Sequence, residues 1–149
     1  MHVVKLLFQK TLWETDLLGL YKAVVMLSRN KEAIELLLDF KLQEQLIAQL
    51  DSPDSNFSVC AARVLFNCLC FKEEFDQLLM KSGLSDSIRS AFDKKRLCEC
   101  DKLREITTCI VVNLLSSGDL VFEAVLSSPL LDIAAQLLAQ EKRPKVPLL

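Results

Sequence analysis

The chain has 149 residues, 51% of them hydrophobic, with 18 basic and 20 acidic side chains for a formal charge of −2. That length and composition suit one domain with a sizeable core, which excludes a disordered chain, and the charge forms no basic stripe able to neutralise a phosphate backbone, which excludes nucleic acid as the expected partner. No apolar run reaches the ~18 residues of a membrane span, because Arg63 and Glu105 interrupt the longest apolar segments.

Three glycines and four prolines leave few breakers, and Leu, Ala, Lys, Glu and Gln favour helix. Apolar residues at steps of three and four predict helices throughout. In chain order these are 3–9, 16–29, a short helix opened by Asn30, 42–50, 55–71, 72–81, 84–93 and 101–116, then two more from Asp119 to about Gln140. Asp51-Ser52-Pro53-Asp54, Gly83, Gly118 and Ser127-Ser128-Pro129 punctuate them. The polar stretch 95–101 is expected to be the most mobile internal connection.

Asn67-Cys68-Leu69 and Asn113-Leu114-Leu115 each close a long apolar helix, 46 residues apart, and Leu27 lies 42 residues before Leu69. Periods of that size belong to helical solenoids. The frame divides the chain into a partial unit 1–29, units 30–71 and 72–117, a partial unit 118–140 and a basic tail 141–149. In each full unit a short, a middle and a long helix follow one another.

This order resembles the armadillo repeat family. The resemblance implies an all-α, right-handed α-α superhelix, an armadillo-like solenoid of about three repeats, whose long helices line a concave groove. The family's glycine between the first two helices is matched by Gly83 and replaced by Lys41 in the unit before; its groove asparagine is matched by Asn67 and Asn113, with Val25 at the first position. Where importin-type members carry a tryptophan this chain has Tyr21, Arg63 and Cys109, which argues against recognition of basic import signals. The resemblance thus implies a partner-binding groove formed by Tyr21 and Val25, Arg63 and Asn67, and Cys109 and Asn113.

An asparagine amide offers both a donor and an acceptor, so it can pair with the backbone of an extended peptide. Alternatively, the two asparagines bond carbonyls of a turn in their own unit. The expected core stripe is Val59, Ala62, Phe66 and Leu69 in one long helix and Leu103, Ile106, Ile110 and Leu114 in the next, with Leu46, Ile47, Leu50, Ile88, Ala91 and Phe92 from the middle helices.

Catalytic chemistry finds little to work with. The single histidine, His2, excludes nearly every Ser-His or Cys-His arrangement, and no phosphate-binding glycine loop is present. Glu73, Glu74 and Asp76 read as a solvated helix start. Cys60, Cys68 and Cys109 read as packing residues, and Cys98-Glu99-Cys100 lacks zinc-site spacing and is expected to hold neither a metal nor a disulfide. No enzyme, cofactor or metal is expected.

Met1-His2-Val3-Val4-Lys5 lacks the features of a secretory leader, so the expected location is intracellular, in the cytoplasm or the nucleus. Lys142-Arg143-Pro144-Lys145 reads as helix-end charge with a proline stop, or as a short nuclear-localisation signal. The apolar ends, 3–8 and 133–138, call for a cover: further repeats of a longer array, a second copy in a homodimer, or the chain's own terminal helices. Two functions follow as expectations, a scaffold that binds a peptide segment or helix of a partner protein, and a self-assembly domain.

Overall fold

Cap chemistry and apolar spacing together set the helix boundaries. The computed structural model describes residues 17–39, 43–70 and 73–140, and among these the chain is helical with no strand. The helices are α1 Leu17–Leu27, α2 Lys31–Asp39, α3 Gln43–Gln49, α4 Ser55–Leu69 and α5 Glu73–Lys81, followed by α6 Leu84–Asp93, α7 Arg96–Glu99, α8 Asp101–Leu115, α9 Asp119–Leu126 and α10 Leu130–Gln140. The expected helix at 3–9, Lys41 and the basic tail lie outside the described residues.

Asn30 Oδ1 accepts from the N–H groups of Glu32 (2.8 Å) and Ala33 (3.2 Å), satisfying two donors that α2 cannot pair internally. Asp54, extended at φ −87° and ψ 108°, caps α4 by accepting from Asn56 N. Gly83 turns the chain from α5 into α6 at φ +93°, a left-handed conformation in which a side chain would be strained.

The core is built around α4 and α8, which make the most extensive contact in the molecule; α4 also packs on α1 and α3. Further out, α6 touches both α3 and α10, and α9 packs on α5. Long-range hydrogen bonds run in the same sense. Asn67 to Ser28, Ser87 to Ile47, Ser90, Lys94 and Arg96 to Asp51, and Ser117 to Asp76 join residues 39–45 positions apart.

Three expectations need correction. First, the buried arc of α4 is Ser58, Ala61, Ala62, Val64, Leu65, Cys68 and Leu69, with Val59 and Phe66 only half-buried, as are Phe92 in α6 and Ile106 in α8. Helix α4 is covered on more than one side, by α1, α3 and α8, so its buried face is wider than a single stripe and is rotated from it. The small side chains of Ala61 and Ala62 let neighbouring backbones approach.

Second, the stretch 95–101 is more than a connection between two helices. It contains α7, whose Leu97 is 1% exposed, and Arg96 is hydrogen-bonded to Asp51. Lys95 takes the left-handed conformation at φ 63° and donates its N–H to Phe92 O, which turns the chain sharply enough to dock Leu97. One apolar side chain among polar ones outweighed the composition.

Third, Asp76 is not solvated at a helix start but 1% exposed, accepting from Ser117 Oγ in the turn before α9. The side chains of Glu73 and Glu74 lie outside the described residues.

Candidate functional site

Helices α1, α4 and α8 lie side by side, and a groove of about 560 Å³ crosses all three. Lys22, Val25 and Met26 come from α1, and Ser55, Asn56, Val59, Cys60 and Arg63 from the first half of α4; Cys100 and Lys102 stand at the start of α8. On α1 and α4 the lining residues recur at steps of three and four, so that one face of each is presented. The groove thus has an apolar floor of Val25 and Val59, with Met26 at its rim, between polar and cationic side chains.

Its electrostatics are one-sided. Among the described residues three cations and no carboxylate line it, and Lys22, Arg63 and Lys102 make no ion pair with any of them. Their field is felt inside the groove: burial raises the Cys60 thiol, and the charges of Arg63 and Lys22 partly oppose that rise. Met26 is 62% exposed, a large apolar side chain held in water at the rim.

Of the residues singled out from sequence, Val25 and Arg63 meet in this groove; Asn67, Cys109 and Asn113 do not line it. Tyr21 falls on α1, and its side chain lies outside the described residues. Asn67 Nδ2 donates to Ser28 Oγ at 2.8 Å, and Ser28 Oγ donates to Val25 O at 2.7 Å. The asparagine therefore ties α4 to the end of α1 through a buried hydroxyl, neither within its own unit nor with both amide groups open to a peptide. Asn113 Nδ2 reaches only Cys70 Sγ, at 3.9 Å, a weak acceptor.

Sequence reasoning missed Lys22, Lys102 and Asn56. Lys102 is seven residues before Cys109, and Asn56 seven before Arg63, two turns along the same helix face. The face was readable from the spacing, and a charge count along it would have exposed the cations. Position along the helix axis was not readable, because it depends on how far neighbouring helices are offset.

A second hollow, of about 290 Å³, is lined by Ser52, Pro53, Ser58, Arg96 and Leu103 among others. Arg96 there is already engaged with Asp51. No group of three His, Cys, Asp or Glu side chains able to hold a metal gathers among the described residues, and none of the six cysteines is in a disulfide. No single described helix is long and apolar enough to cross a membrane.

No protein-family model, no curated protein and no solved structure matches the chain.

Proposed function

We propose that the chain is a non-catalytic protein-interaction module, an armadillo-like solenoid of about three units that holds a segment of a partner protein in the groove across α1, α4 and α8. The observation that carries this reading is the groove itself, which spans three successive long helices. An extended peptide or a short helix laid there would touch each unit in turn. Hydrogen bonds between residues 39–45 positions apart support the repeat frame, since each ties a residue to its neighbour one unit away.

Peptides selected from a display library on the folded chain test the reading. Met26→Ser removes apolar contact at the rim without touching the core, and is expected to weaken the selected peptides about tenfold at unchanged melting temperature. Weakening by Leu126→Ser instead would remove the site from the groove.

A second reading rests on a different surface. Leu120 (66% exposed), Phe122, Leu126, Leu131 and Leu138 leave large apolar side chains in water on α9 and α10, a surface suited to homodimerisation. Sedimentation equilibrium separates the two: a dimer that Leu120→Ser and Leu126→Ser dissolve would favour self-assembly.

A further inference from the structure

We infer that the groove takes an acidic segment, an extended peptide with carboxylates spaced between apolar side chains; this rests on the groove reading above. Lys22, Arg63 and Lys102 stand on three successive long helices, with Val25, Met26 and Val59 between them. In a chain whose net charge is negative, three cations and, among the described residues, no carboxylate line the groove. A basic segment would meet only like charge. A neutral one would leave three cations to be partly desolvated without compensation.

The spacing defines the ligand further. Packed helices lie about 8–10 Å apart, and an extended chain rises about 3.3 Å per residue. A carboxylate at every second or third position therefore keeps step with the cations, and the residues between them reach the apolar floor. Arg63 is half-buried, where salt screens least, and its planar guanidinium suits a bidentate carboxylate. A peptide fits better than a nucleic acid strand, because among the described residues no aromatic side chain lines the groove to stack a base.

The test uses three fluorescein-labelled peptides of about twelve residues, long enough to cross three helices. They alternate leucine with glutamate, glutamine or lysine, and binding to the full chain is measured by anisotropy. The glutamate peptide is expected to bind on the order of tenfold or more tighter than the glutamine peptide, from three half-screened pairs together. Raising the salt should shrink that advantage. Lys22→Glu with Lys102→Glu, both exposed and safe for folding, should reverse the preference toward the lysine peptide.

Equal binding of all three peptides, weakened by Met26→Ser, would overturn the acidic preference and leave the groove reading standing. If no peptide binds, or if binding ignores both Met26→Ser and the charge reversal, the groove reading falls with it. Displacement of the glutamate peptide by oligo(dT) at lower concentration than by unlabelled peptide would assign the cations to nucleic acid and overturn the inference.

Discussion

Arg96 donates through Nε to both the backbone carbonyl of Asp51 (2.9 Å) and its carboxylate Oδ1 (3.2 Å), joining α7 to the end of α3 across 45 residues. Ser90 Oγ and Lys94 Nζ donate to the other carboxylate oxygen at 2.7 and 2.6 Å. One side chain thus fixes the register between two helical layers.

The Asp51 carboxyl carries a pH signature. Burial pushes it up, but hydrogen bonds from Lys94, Ser90 and Arg96 outweigh burial and hold it below the ordinary 3.8. Its contribution is therefore fully present above the unfolded pKa and is lost as pH falls through the lower folded value. Asp51→Asn is expected to cost about 1.5–3 kcal/mol near neutrality, the range for hydrogen bonds to a charged group. The variant should also show a flatter acid limb than the native chain. Urea unfolding across the acid range checks both, and parallel acid limbs would contradict the assignment.

Asn67 acts on stability through Ser28. Asn67→Ala and Ser28→Ala should each cost about 0.5–1.5 kcal/mol, and the double variant less than their sum, because one bond is removed twice. Asn113→Ala should cost less than Asn67→Ala, since its partner is a sulfur at 3.9 Å. A chemical-denaturation cycle measures the coupling, and strict additivity would separate the two residues.

Leu97→Ala should destabilise the protein by about 2–5 kcal/mol, the cost of emptying a buried leucine site. A true open connection at 95–101 would tolerate the change. Amide exchange gives the matching readout: Glu99 N and Cys100 N, bonded to Lys95 O and Arg96 O, should exchange more slowly than unbonded loop amides.

Helices were legible because apolar spacing reports period and face directly. Residues 84–93 were expected as a helix and form α6, and Ser55 and Asp101 were placed as the first residues of α4 and α8. Tertiary choices were not legible. Leu97 docks, Asp76 is buried under Ser117, and Asn67 turns to Ser28 because of neighbours that local spacing does not describe. On α4 and α8 the hollow lies nearer the N-terminal ends than the positions singled out from sequence, so that Arg63 lines it and Asn67, Cys109 and Asn113 do not, whereas on α1 Val25 lines it together with Lys22, which the sequence reading did not name.

The thiols should separate by accessibility. Burial pushes the Cys68 thiol up to about 12, so it should resist alkylation until the protein unfolds, whereas Cys98 is exposed and should react first. Timed iodoacetamide labelling read by peptide mass spectrometry orders the sites. Early labelling of Cys68 in native protein would mean that α4 is not packed as described.

Binding along the groove is tested most directly by a heteronuclear NMR titration of the full chain with the glutamate–leucine peptide. Shifts concentrated on Lys22, Val25, Met26, Val59, Arg63 and Lys102, with Leu120, Leu126 and Leu131 unmoved, are the expected result. Shifts confined to Leu120, Phe122, Leu126 and Leu131, or none at saturating peptide, would contradict it.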